Sequence, residues 1–332
     1  DQLWTVEFPA EPAASQALAG PPDDPFLSQV SARAISALMA TPMNEMPLQE
    51  NRRRVRAFFA QATLAFTEQE RACLRSIVKL LDRKFGDQYP LLIRRRWKFI
   101  KTRADLCGGF AFTRGDHIIL SEPTVRSVLL ASPTQPEVGE ELLLHEQMHV
   151  LQRESPKLFH TLYQDVFGFR YAQIEIHDWF AGRQMHNPDG EDLNWIYQLK
   201  PSDQSPAGTP AEFYWIGTLL EGEKERYRMG RDFQTVAVQL KPNNKTQDGV
   251  EYVMMQTNGV PISRSLTNMP RIAARFPLPP AYDHVNEIAA YLFTQITHQR
   301  PSPSTSLSGR QAAILQDTKA WFTANLSLPQ RP

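Results

Sequence analysis

Through much of the first quarter of the chain, hydrophobic residues recur every three to four positions, the spacing that gathers them on one face of an α-helix. Three such stretches follow one another between 24 and 86. The third opens with Thr67 and Glu70 in capping-box spacing and turns Cys73, Leu74, Ile77, Leu80 and Leu81 inward. Residues 1–23 are rich in Ala and Pro with neither helical nor alternating periodicity, which predicts a tail or arm on the surface. From 97 to 121 the pattern changes to short apolar runs, WKFIKTR and GGFAFTRGDHIILSE, predicting strands and a hairpin bend at Arg114-Gly115-Asp116. Helical spacing returns at 141–153 and again in PKLFHTLYQDVFGF. HNPDGEDLNWIYQL starts with a Pro-Asp-Gly turn leading to a strand; segments near 193–199, 212–219, 233–240 and 250–256 then alternate or are aromatic-rich, predicting a small antiparallel sheet. PPAYDHVNEIAAYLFTQITHQ is helical again, and the Ser/Pro linker PSPSTSLSG separates it from a last helix at roughly 309–325. There is no internal repeat.

This order of elements predicts an α+β chain, mostly helical, with a small mixed sheet ahead of the 141–153 helix and a β-rich segment after it. The expected divisions are an N-terminal tail or arm at 1–23, a helical region at 24–88, a core at 89–181, a β-rich segment at 182–280 and a C-terminal helical region at 281–332.

The stretch ELLLHEQMHVLQR, residues 141–153, is apolar on most sides and predicts a buried helix. On that helix His145 and His149 are four apart and stack on one face, so that both imidazoles reach a single ion. Glu146 is turned about 100° from His145 and flanks the ion, where a general base belongs. With this H-E-x-x-H pattern the segment resembles the active-site helix of the zincin metallopeptidases. The resemblance implies one catalytic Zn²⁺ and a zincin-like core. It also implies that an edge strand just ahead of the helix, GGFAF or HIIL, pairs with an extended substrate.

A catalytic zinc takes three protein ligands and leaves one position open. The metzincin extension of the motif needs Gly and His where this chain has Gln152 and Ser155, so the third ligand must come from a carboxylate elsewhere. Asp165, Glu175, Asp178, Glu221, Glu225 and Glu287 are the candidates. Glu287 is preferred, because HVNEIAAYLF places it on the core-facing turn of an apolar helix. That helix resembles the N-E-x-x-x-D ligand helix of the thermolysin-like gluzincins through Asn286 and Glu287. It departs from the pattern at Tyr291, which stands in place of Asp, and in the 138 positions that separate Glu287 from His149. His284, one turn earlier, reads as a solvent-side histidine, with a role behind the metal or toward substrate as the alternative. Tyr282, Tyr291, His177 and His186 are the candidates for stabilising an oxyanion.

The expected function is zinc-dependent hydrolysis of peptide bonds in a peptide or protein substrate, with Glu146 as general base. The alternatives are a non-peptidase zinc hydrolase and a catalytically inactive binding protein of zincin fold. Lys plus Arg and Asp plus Glu number 36 each among 332 residues, and a net charge of zero argues against long-range attraction to nucleic acid or anionic lipid. The run Arg94-Arg95-Arg96 is expected to be a solvated face. No apolar run approaches the roughly 18 residues of a membrane span. Cys73 and Cys107 allow either one disulfide or two thiols, and Cys107 beside a glycine turn reads as a small buried residue. The chain starts at Asp1 with no signal-peptide pattern, as expected of a processed or truncated form, and export is compatible with it.

Overall fold

The computed structural model describes residues 4–190, 194–200, 210–243, 249–279, 282–298 and 307–327. It is an α+β chain in which a mixed sheet is followed by a helical layer and then by a larger, mainly antiparallel sheet. The first half comprises strand β1 (Thr5–Glu7), helices α1 (Ala13–Ala19), α2 (Ala32–Met39) and α3 (Leu48–Ala60), strand β2 (Thr63–Leu64), helices α4 (Glu68–Phe85) and α5 (Pro90–Ile93), strands β3 (Arg96–Thr102), β4 (Phe112–Arg114) and β5 (His117–Ser121), and helices α6 (Glu122–Ala131), α7 (Pro136–Glu154) and α8 (Pro156–Thr161). In its sheet the order is β1-β3-β5-β4, with β2 alongside β3; β1 and β5 run parallel to β3, and β4 returns antiparallel to β5 through a turn at Gly115, whose φ is 55°. The 156–169 helical reading is met by α8, which continues as a wide turn over Leu162–Val166.

The predicted capping box is present, with Thr67 and Glu70 bonding each other's backbone N–H. Leu74, Ile77, Val78 and Leu81 are buried on that helix, whereas Cys73 and Leu80 are only half-buried.

The second half adds strands β6 (Phe169–Tyr171), β7 (Ile174–Glu175), helix α9 (Asp178–Ala181), and strands β8 (Gln184–Met185), β9 (Trp195–Leu199), β10 (Glu212–Leu220), β11 (Phe233–Pro242), β12 (Tyr252–Met254), β13 (Gln256–Thr257), β14 (Val260–Pro261) and β15 (Ser263–Ser265). Helices α10 (Pro270–Ala273), α11 (Val285–Thr297) and α12 (Gly309–Asn325) close the chain. The long strands β10 and β11 pair from Phe213–Leu240 to Leu220–Phe233 at the centre of an eight-stranded sheet, larger than the small one expected. Most of the Ser/Pro linker, at 301–306, lies outside the described residues.

Three expectations are corrected. The segment 1–23 is not a surface tail: β1 pairs with β3, Phe8 packs edge-on against Phe66, and Leu18 of α1 is fully buried. A three-residue strand and a seven-residue helix are too short to register a period, so this segment carried no readable pattern. Arg94 and Arg95 are not simply solvated. Arg94 bridges Asp82 and Asp87, and Arg95 pairs with Glu154 at the end of α7. HIIL is not an edge, because β5 lies between β3 and β4. Cys73 and Cys107 are both free thiols, and burial pushes the Cys107 thiol well above its ordinary pKa, as befits a small packed residue. Among the described residues, no helix is long and apolar enough to cross a membrane.

Candidate metal centre

Helix α7 begins on Pro136, whose fixed φ suits a first turn and whose missing N–H costs nothing there. Its Leu143, Leu144, Met148, Val150 and Leu151 sit in the main core against α4, α6 and α11. A helix buried on nearly every side holds its polar residues in fixed positions: His145 and Glu146 line a cleft of about 720 Å³, and His149, fully buried, meets His145 beside it. That volume lies within the range of small-ligand pockets.

The structure brings His145 and His149 to 3.0 Å between their Nε2 atoms, as the four-residue spacing demands. Glu287, in the first turn of α11, places its Oε2 3.2 Å from His145 Nε2 and its Oε1 3.6 Å from His149 Nε2. For ligands about 2.1 Å from a tetrahedral zinc, the distance between neighbouring ligand atoms is about 3.4 Å. The three observed separations bracket that value. Two nitrogens and a carboxylate oxygen, all within 4.8 Å of one another, are also the donor set that zinc accepts. The other carboxylates considered, Asp165, Glu175, Asp178, Glu221 and Glu225, are exposed and outside this group.

The orientation of His149 is fixed from behind. Gln152 donates its Nε2 to the Asn286 carbonyl at 3.1 Å, so its Oε1 is the atom 2.9 Å from His149 Nδ1. An acceptor there requires the proton on Nδ1 and leaves the Nε2 lone pair facing the cluster. Burial lowers the pKa of His149, although Glu287 and Asp189 oppose it, and so favours the neutral, ligating imidazole. For Glu287, burial pulls the pKa upward, but His149 and His145 outweigh it and hold the carboxyl below the usual range.

Asn286 and Asn187 lock Glu287 in place. The Asn286 side chain accepts from the Tyr163 hydroxyl at 2.7 Å and donates to the Asp189 carbonyl at 2.9 Å. Asn187 donates to Glu287 Oε1 at 2.8 Å and to Asp283 Oδ1 at 3.2 Å. His284 is not on the solvent side: it is buried, caps α11 by accepting from Asn286 N–H, and its ring lies where a Cβ on Gly190 would meet it at 3.0 Å. Asp283, half-buried with its carboxyl desolvated and close to the Glu287 charge, has its pKa raised to about 6 despite hydrogen bonds from Asn187 and Thr218.

Glu146 is 4% exposed, and its Oε2 has no hydrogen-bond partner. Burial, with Asp189 and Glu287 adding repulsion, raises its pKa well above the ordinary value. A buried carboxylate oxygen without a donor is costly unless something arrives to use it. The donor set and this orphaned oxygen together fit a metal with an attacking water.

Of the four oxyanion candidates, the structure places two in the cleft. Tyr291 has its ring centroid 4.6 Å from that of His145, and His186 lines the same cavity. Burial, with Arg52 assisting, lowers the His186 pKa to about 4. The other two are engaged elsewhere: Tyr282 is buried and donates to the Ile272 carbonyl, and His177 caps α9 by accepting from Trp179 N–H. Sequence reasoning missed Asn187, Asp189 and Asp283. Their signal was present in HNPDGED, whose Asn-Pro-Asp-Gly was read only as a turn, and in an acid one helical turn before Glu287.

Comparison with protein-family models, with curated proteins and with solved structures found no match.

Proposed function

We propose that the chain is a zinc-dependent metallopeptidase of zincin-like fold, divergent from the thermolysin-like gluzincins. The observation that carries this reading is the meeting of His145, His149 and Glu287 at separations of 3.0, 3.2 and 3.6 Å, with the unpartnered Glu146 carboxylate beside them. When bound, the ion supplies Lewis acidity and lowers the pKa of a coordinated water toward 7.

Glu146 takes the proton of the attacking water on its free Oε2 and returns it to the leaving amine. A cation among the ligands opposes the upward shift of its pKa, so the carboxylate is ionised and able to act as a base. The Tyr291 hydroxyl, neutral at pH 7, and His186 are the available donors to a developing oxyanion. Asn187, Asn286 and Gln152 hold the ligands in place.

The test is zinc content together with release of new amino groups from denatured casein and short peptides. The expected result is about one zinc per chain and hydrolysis that Glu146→Gln abolishes while zinc is retained. Zinc binding without any peptide cleavage moves the assignment to esters or other amides. Absence of zinc, or a Glu146→Gln variant as fast as wild type, overturns it.

A further inference from the structure

We infer that the cleft receives the amino-terminal end of a peptide, with a free α-ammonium beside the metal centre and an apolar side chain flanking the bond cut. This rests on the peptidase reading and adds the class of substrate. Three independent observations lead to it.

The first concerns the sheet edge. β4 is the free edge of its sheet, and Phe110, Ala111 and Phe112 line the cleft. An extended peptide could pair along this edge, but the edge is closed at Thr113. The Thr113 backbone N–H points away from β5 and donates to Asp189 Oδ1 at 2.7 Å, and the Thr113 hydroxyl bonds the same carboxylate. Arg153, one turn beyond His149 on α7, seals the end: it donates to Thr113 Oγ1, to the Gly115 carbonyl and to the Pro188 carbonyl. Ala111 precedes Thr113 by two residues, about 7 Å of strand. An added peptide therefore runs into the Asp189 wall within about two residues of the cleft, and cannot continue as it would on an open edge.

The second is charge. Five carboxylates line the cleft, Glu141, Glu146, Asp189, Asp283 and Glu287, and no Lys or Arg is among its described lining residues. Arg153 stands behind the wall, 4.0 Å from Asp189 Oδ1, so with a divalent ion in place the formal balance is −5 + 1 + 2 = −2, carried by the carboxylates other than Asp189. A peptide end arriving at this wall is favoured if it carries an ammonium and disfavoured if it carries a carboxylate. The blocked end therefore receives the amino terminus. The buried, unpartnered Glu146 Oε2 marks where the reacting carbonyl and water must lie.

The third is the remaining wall, which is apolar: Leu38, Phe110, Phe112, Met185, Met229 and Phe233. Phe110 is 53% exposed, unusual for a phenylalanine, and its ring lies against Gly230, where a Cβ would meet it at 2.8 Å. Gly108 makes the same allowance for Met229, at 2.6 Å. This continuous apolar surface, running from the metal centre, suits an aliphatic or aromatic side chain. In the reaction the water oxygen bonds to the carbonyl carbon and the C–N bond breaks. One water proton passes through Glu146 to the departing amine and the other leaves from the new carboxyl group.

The experiment compares leucyl-glycyl-glycine, its N-acetyl form, its C-terminal amide and an internally quenched peptide blocked at both ends, all on zinc-loaded protein. The free amine should raise kcat/KM by about 100-fold over the acetylated form, the scale expected when a site built for a polar group is denied it. C-terminal amidation should change kcat/KM less than about threefold, because the carboxyl end lies away from the acidic wall. Asp189→Asn keeps an acceptor for Thr113 and should narrow the free-to-acetylated ratio while leaving zinc content unchanged. Equal or faster cleavage of the acetylated or doubly blocked peptides overturns the amino-terminal assignment and leaves the peptidase intact. Failure to cleave any of the peptides defeats the peptidase reading itself, and this inference with it.

Discussion

Replacing Glu287 by alanine should cost the protein at least about 100-fold in zinc affinity. The geometry sets this lower bound. Loss of an outer partner that merely orients a metal ligand costs about 10- to 100-fold, whereas the Glu287 carboxylate is within 3.6 Å of both histidine nitrogens and supplies the only anionic donor of the group. One hundredfold corresponds to about 2.7 kcal/mol, and two neutral imidazoles alone leave the ion short of the usual three ligands. The assay is competition with a chromophoric chelator, run beside Glu175→Ala and Glu221→Ala, which alter exposed carboxylates outside the cluster. These two should bind zinc as wild type does. A Glu287→Ala variant within threefold of wild type, or a larger loss in either control, would refute the argument that α11 completes the site.

Asn187→Ala should weaken zinc by about 10- to 100-fold in the same titration, since it removes the 2.8 Å hydrogen bond that orients Glu287; His145→Ala and His149→Ala should abolish stoichiometric zinc by elemental analysis. Glu140 is fully buried on α7 and paired with Lys84 and His298, but Lys84 is 43% exposed and can return to water, so Glu140→Ala should cost about 1–3 kcal/mol in urea unfolding, less than an entirely buried pair would. For the metal-free chain, the His186 pKa of about 4 lies below its ordinary 6.5, so the unfolded state takes up this proton first and stability falls as pH drops from about 6.5 toward 4. His186→Gln should flatten that fall by about 3 kcal/mol at pH 4. Asp283, raised to about 6, acts in the opposite sense, its contribution being lost as pH rises from about 4 through 6, and it remains in the variant as an internal control.

The parts of the site legible in the sequence were those fixed by local periodicity. His145, Glu146 and His149 share one helix, and a spacing of four residues determines their relation wherever the helix lies. Glu287 could be singled out because a carboxylate on an apolar helix needs a partner, although its distance from His149 in the chain gave no geometric information. The Asp189 wall was not legible. It depends on the 186–190 turn crossing β4, a tertiary contact with no period, and Pro-Asp-Gly has the same turn chemistry whether or not its aspartate meets a strand edge. The strands β9 to β12 were found where residues alternate or are aromatic-rich, the short strands β14 and β15 were not, and β1 and α1 owe their structure to packing on β3 and α3.

The 138 positions from His149 to Glu287 also set a clock on synthesis. A ribosome adding about 5–20 residues per second takes about 7–28 s to pass from one ligand to the other. Throughout that interval the nascent chain has the two histidines and Glu146, and it gains much of the cleft wall, from Met185 to Asp283, only as synthesis proceeds, while the carboxylate that completes the group is still missing. If Glu287 is the closing ligand, the new polypeptide cannot cut its neighbours, or itself, until almost the whole chain has been made.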